Sequence, residues 1–215
     1  SVTTNAATLT VNDAITGVTA NGTTFAATDG FPTTGFSGAT FIINLASSAP
    51  SNYTWTASQN GSSPTWMSVS SAGVVTFNSS SKPSSGSVTI TATPIGGGTP
   101  LTYGFTLTNW FVNNGNNLLS QSNAASYCTG LIGGYQQPTQ AQLTNASLGN
   151  LGTRGIGNLW SEWGSMGTYG SGWRSLNYWS STTDGSRGVL VFLINGHAYS
   201  ILPGNPLSVA CVAGL

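Results

Sequence analysis

Val189-Leu190-Val191-Phe192-Leu193-Ile194-Asn195-Gly196-His197-Ala198-Tyr199-Ser200-Ile201-Leu202, with Leu207-Ser208-Val209-Ala210-Cys211-Val212 after it, decides how the second half of the chain is read. Val189 to Ile194 is an apolar run, Asn195-Gly196 is the two-residue signal of a type I′ hairpin turn, and His197 to Leu202 returns antiparallel. Pro203-Gly204-Asn205-Pro206 interrupts before the last strand. Period two there sets Leu207, Val209 and Cys211 on one face and Ser208 and Ala210 on the other, so Cys211 points into a core. Tyr178-Trp179-Ser180-Ser181-Thr182 opens this strand meander.

Upstream of the meander, helical signals appear. Ser122 is placed to cap a short helix that carries Ala124, Ala125 and Cys128 on one side. Pro138-Thr139-Gln140-Ala141-Gln142-Leu143 announces a second helix, with Thr139 as N-cap and Gln142 three residues on forming a capping box, and Gly149 as its stop. Glycine-rich loops with Trp160, Trp163, Tyr169 and Trp173 follow. Two short helices, irregular loops and an antiparallel sheet make an α+β domain over 109–215.

Residues 1–108 read differently. Turn signals recur about every 8 to 12 residues and no helical period appears, the pattern of a β-sandwich. Phe41, Ile43 and Leu45 face one way; so do Tyr53 and Trp55, then Val88, Ile90 and Ala92, then Leu101, Tyr103, Phe105 and Leu107. Ser71-Ala72-Gly73 turns the chain into Val74 to Phe77. Strands with one dry face each predict two antiparallel sheets packed face to face.

Composition narrows the function. Only 4% of the 215 residues are charged, against about 25% in an average soluble domain. Seven Trp, seven Tyr and eight Phe supply apolar surface to bury, so a folded chain is expected. A net charge of zero gives no electrostatic footprint for nucleic acid or an anionic membrane. No apolar run has the length of a membrane span. The two cysteines leave a disulfide formed in an oxidising compartment, or two buried thiols. An opening at Ser1 in place of Met predicts a fragment.

A family resemblance enters with Gly30-Phe31-Pro32-Thr33-Thr34-Gly35-Phe36-Ser37-Gly38-Ala39-Thr40-Phe41, Tyr53-Thr54-Trp55-Thr56-Ala57-Ser58 and Met67 to Phe77. In that order these segments resemble the bacterial Ig-like repeats of the intimin and invasin adhesins. The cysteine on the first helix, the Pro-Thr-x-x-Gln-Leu second helix, Tyr-Trp-Ser-Ser and the hairpin before a last cysteine resemble the C-type lectin-like domain that ends the same proteins. The resemblance implies an all-β Ig-like sandwich spacer over 1–108, then an α+β C-type lectin-like tip domain over 109–215. It also implies a Cys128–Cys211 disulfide and an extracellular position on an outer-membrane-anchored protein.

Chemistry is sparse. The Glu-Pro-Asn or Gln-Pro-Asp and Trp-Asn-Asp motifs that calcium-dependent sugar binding uses are missing: Gln137-Pro138-Thr139 lacks the acid, and Leu207 to Ala210 holds no Trp, Asn or Asp. No metal, cofactor or catalytic residue is expected. Asp13, Asp29, Glu162 and Asp184 are the only acids and His197 the only histidine. Glu162 with Asp184 is the one pair open to a glycosidase reading, and no spacing supports it. Recognition by surface remains. Trp160, Trp163, Tyr169, Trp173, Arg174, Asp184 and Arg187, in or beside loops, are the expected ligand contacts, although Trp173 is also a candidate for the core. The expected partner is a host extracellular or cell-surface protein, with a calcium-independent glycan lectin and a stalk or cap in bacterial self-association as alternatives.

Overall fold

Alternation of dry and wet positions builds the first half as two sheets. The computed structural model describes residues 13–215, so residues 1–12 of the expected first domain lie outside it. Strands β1 (Ile15–Ala20), β2 (Thr23–Ala26), β4 (Thr40–Leu45), β6 (Met67–Val69) and β7 (Val74–Phe77) form one sheet in the order β2-β1-β4-β7-β6. Strands β5 (Tyr53–Gln59), β8 (Ser87–Pro94) and β9 (Leu101–Thr106) form a second, β5-β8-β9. Val18, Phe41, Ile43, Val75 and Phe77 of the first sheet and Val88, Ile90, Tyr103 and Phe105 of the second are buried. Their rings meet edge on, as Phe41 and Phe105 do with centroids 6.0 Å apart. Such contacts add about 0.5–1.5 kcal/mol per pair to the area buried.

The remaining strand of the first half does not join either sheet. Strand β3 (Thr34–Phe36) pairs in parallel with β10 (Asn109–Asn113) at the edge of a six-stranded sheet. That sheet runs β13-β12-β11-β14-β10-β3, with β11 (Asn177–Asp184), β12 (Arg187–Phe192), β13 (His197–Ile201) and β14 (Ser208–Gly214). Glycine at position 35 is a steric requirement of the pairing, because a Cβ there would lie 2.8 Å from the Trp110 ring. The buried residues of both halves consequently form one continuous cluster.

Several local expectations meet a different outcome in the second half. The β12–β13 connection is four residues, Leu193 to Gly196, with Phe192 paired to His197. Only Gly196 of its Asn-Gly pair has positive φ (69°), so the turn is not type I′. Its wider loop lets Leu193 bury and take a backbone bond to Leu176 O at 2.9 Å. Strand β14 is dry on both faces from Ser208 to Ala213, since it lies between β10 and β11 with helix α1 (Gln121–Thr129) above it. Its pairing with β11 is parallel, so the sheet is not a simple meander. Ser120, not Ser122, caps α1. The capping box of Thr139 and Gln142 is formed, yet helix α2 (Gln140–Leu143) stops at Thr144, before Gly149. A third helix, α3 (Leu159–Trp163), was hidden in the glycine-rich loops and starts on Asn158, whose side chain accepts from Ser161 N. Cys128 and Cys211 are joined, their Cα atoms 5.3 Å apart across 83 residues of sequence.

Candidate functional site

Helix α3 carries two of the seven expected ligand contacts, Trp160 and Trp163. Its five residues are all buried. The Glu162 carboxylate accepts from Thr33 N at 3.0 Å, Thr34 N at 2.9 Å, Thr34 Oγ1 at 2.6 Å and Gly157 N at 3.0 Å, and also from Thr33 Oγ1. A buried charge so supplied with donors is satisfied without a cation. Trp163 Nε1 donates to Thr34 Oγ1 at 2.9 Å, and the ring packs 4.9 Å from Phe31. Arg154 closes the junction from outside, donating to Ser161 O (2.9 Å), Glu162 O (2.7 Å) and Ala20 O (3.0 Å). Burial lowers the Arg154 pKa, and without an acid partner its charge rests on carbonyl dipoles.

Trp160, Trp163 and Trp173 are therefore not the surface contacts expected of them. Each is under a tenth exposed: Trp163 and Trp173 pack on Phe31 and Phe36 where the halves meet, and Trp160 lies against Gly152 and Gly196 within the second half. Tyr169 is half-buried; burial pushes its phenol well above the ordinary value, and its hydroxyl donates to Trp163 O at 2.8 Å. Glu162 and Asp184 do not meet in a catalytic pair: the first is sealed against β3, the second ends β11 at the surface. Among the described residues no group of three or more His, Cys, Asp or Glu is placed to hold a metal ion.

Arg174, Asp184 and Arg187 are exposed, but they divide between two places. Arg174 precedes β11 and the other two sit at its far end, about 23 Å away at the usual strand rise. There Arg187 donates to Ser200 O (2.9 Å) and Asp184 accepts from Ser200 Oγ (2.8 Å), which occupies the edge of β13. Arg174 differs: its guanidinium makes no hydrogen bond among the described residues, while Lys82, Arg154 and Arg187 each donate to a carbonyl.

Around Arg174 lies a feature that residue spacing did not announce. Backbone bonds from Gly149 N to Ala198 O, Gly152 N to Asn195 O and Leu193 N to Leu176 O gather three loops at one end of the sheet. They carry Leu148, Leu151, Leu176 and Ile194 there, 42–61% exposed. Exposed apolar side chains on loops joined in this way, with the uncommitted Arg174 two residues before Leu176 in the chain, have the composition of a protein contact surface. The sequence shows these residues only as scattered Leu and Ile next to Gly, Asn and Ser, which carry no period to detect.

Comparison with known proteins agrees with this architecture. The family model for invasin domain 4 matches residues 16–105. The chain is 38% identical over 167 residues to the inverse autotransporter adhesin YeeJ of Escherichia coli (strain K12), covering 77% of this chain and 7% of that protein. It is 34% identical over 174 residues to invasin of Yersinia enterocolitica, covering 79% and 19% respectively. The crystal structure of invasin, a bacterial integrin-binding protein, superposes with a TM-score of 0.78 at 28% identity, over 94% of this chain and 40% of that one. The chain thus spans less than a fifth of either curated relative. None of these matches is to a catalytic family. In sequence and in fold the chain belongs to the invasin and intimin family of bacterial adhesins.

Proposed function

We propose that this chain recognises a host extracellular or cell-surface protein, without calcium and without catalysis, through the face that carries Leu148, Leu151, Leu176, Ile194 and Arg174. Its family is one of outer-membrane-anchored proteins displayed at the bacterial surface, and a relative of the same fold is described as integrin-binding. In this reading residues 1–108 are an Ig-like spacer and residues 109–215 a C-type lectin-like domain closed by Cys128–Cys211. The buried junction at Glu162 holds the two at a set angle. The observation that carries the reading is the set of exposed apolar side chains on loops joined by backbone bonds, with Arg174, whose guanidinium makes no hydrogen bond among the described residues, two positions before Leu176. Asp184 and Arg187 belong to a separate edge, so the interface is centred on Arg174.

The test is a binding panel of purified host proteins, integrin ectodomains among them, against the intact chain and two variants. Leu151→Asp/Ile194→Asp places charge in the apolar face, and Arg174→Ala removes the cation. Either change weakens binding by at least about 30-fold if these are hot-spot residues. Unchanged affinity in both variants refutes the site, and no binding across the panel refutes the host-protein reading for those targets. Calcium titrated calorimetrically into the chain is expected to give no binding heat.

A further inference from the structure

A concave site lies where the two halves meet and shares no residue with the recognition face. It is a groove of about 460 Å³, lined by Ser80, Ser81 and Lys82 from the first half and by Tyr127, Leu131 and Tyr135 among others from the second. That volume is within the range of small-ligand pockets. Its floor is aromatic and apolar. Tyr135 is buried, and its ring lies against Gly133, where a Cβ would approach it to 3.2 Å at a φ of +113°. Its rim is made of donors. The hydroxyls of Ser80, Ser81 and Tyr127 are engaged in no side-chain hydrogen bond among the described residues, and Lys82 Nζ uses one N–H on Gly214 O at 3.1 Å. Lys82 is the one lysine of the sequence, and none of the four acids lines the groove.

We propose that this groove binds a carboxylate-bearing pyranose, one residue of an acidic glycan, with its carboxylate on Lys82 and its ring against the tyrosines. A sugar ring offers an apolar face to Tyr127 and Tyr135 and hydroxyls to Ser80 and Ser81, and the acid matches the single cation. An apolar peptide side chain would fill the floor and leave the rim donors facing it without acceptors, which is costly as water is displaced. Because the groove joins a loop of the first half to α1 and the loop after it, the sugar bridges both. The site is independent of the protein-binding face, so either can fail alone.

The experiment is a titration of the isotope-labelled intact chain, followed by amide shifts, with 3′-sialyllactose, a glucuronic-acid disaccharide and neutral lactose. Shifts at Lys82, Tyr127 and Tyr135 with an acidic sugar, and lactose about tenfold weaker, are expected. Lys82→Met, an exposed position that leaves the fold intact, is expected to lose the same tenfold for the acidic sugar alone. Which of the two acidic sugars binds tells a sialylated host glycan from a uronic-acid polysaccharide. Equal binding of lactose, full binding by Lys82→Met, or no shifts at the groove with any sugar overturns the proposal. An acidic dipeptide that binds the groove more tightly than either sugar also overturns it, assigning the site to peptide.

Discussion

Replacing Glu162 by Ala tests whether one carboxylate organises the junction between the halves. The side chain is fully buried and receives three backbone N–H groups, from Thr33, Thr34 and Gly157, and the hydroxyls of Thr33 and Thr34. Alanine leaves no acceptor for any of them. The hydroxyls can rotate to other partners, so the loss is counted on the three amides, at about 1–3 kcal/mol each for a buried unpaired donor. Thr33 is half-buried and Gly157 exposed, which favours the low end of that range; about 4 kcal/mol is expected. That is a large fraction of the roughly 5–15 kcal/mol that holds a folded protein together. For a chain of this size it corresponds to a fall of about 10 °C in Tm. The assay is urea unfolding followed by tryptophan fluorescence, since Trp163 sits on the same junction and donates to Thr34. Glu162→Gln keeps one acceptor oxygen and is expected to lose less than alanine. A loss below about 1 kcal/mol for Glu162→Ala would refute the reasoning, because it would mean that β3 and α3 are held by aromatic packing alone.

Three further outcomes are expected. Cys128→Ala/Cys211→Ala removes a cross-link spanning 83 residues, and the chain-entropy relation gives a loss of about 4.6 kcal/mol, read as a lower urea midpoint that reducing agent no longer changes. Asp13 is subject to desolvation that would raise its pKa, but hydrogen bonds from Tyr53 Oη, Ala14 N, Ser47 N and Ser48 outweigh it and bring the carboxyl to about 2. A folded pKa below the unfolded value of about 3.9 stabilises the fold above that value and stops doing so as pH falls towards 2. Asp13→Asn should therefore flatten the urea-midpoint profile between pH 4 and pH 2, and an unchanged slope counts against the carboxylate. Leu151→Asp/Ile194→Asp should leave the unfolding midpoint within about 0.5 kcal/mol of native, because both side chains are exposed; a larger loss would make them structural residues.

How far the residues could be read in advance depends on the range of the interaction. Phe41, Ile43, Val88, Ile90, Tyr103 and Phe105 alternate within their own strands, and all are buried as that alternation requires. Thr139 and Gln142 meet across three residues, and their capping box is present. The aromatic loops carry no such local pattern. Trp160, Trp163 and Trp173 sit among glycines and serines, where composition suggests surface; the approach of Phe31, Phe36 and Thr34 buries Trp163 and Trp173, and the loops at Gly152 and Gly196 cover Trp160. In the candidate face, Arg174 could be named from the sequence as a loop cation, whereas Leu148, Leu151, Leu176 and Ile194 come together through backbone bonds between separate loops.

The sequence by itself determined what neighbouring residues decide: strand faces in the first half, the Thr139 helix start and, through family resemblance, the pairing of Cys128 with Cys211. Tertiary structure alone decided that β3 leaves the first half to pair with β10, and that Glu162 serves Thr33 and Thr34 from about 130 positions away. It also decided which of four cations stays uncommitted. The physical reason is that backbone periodicity and capping act within a few residues and leave a pattern in the chain. A buried carboxylate instead finds its donors only after the two halves have packed, and no spacing along the sequence encodes that distance.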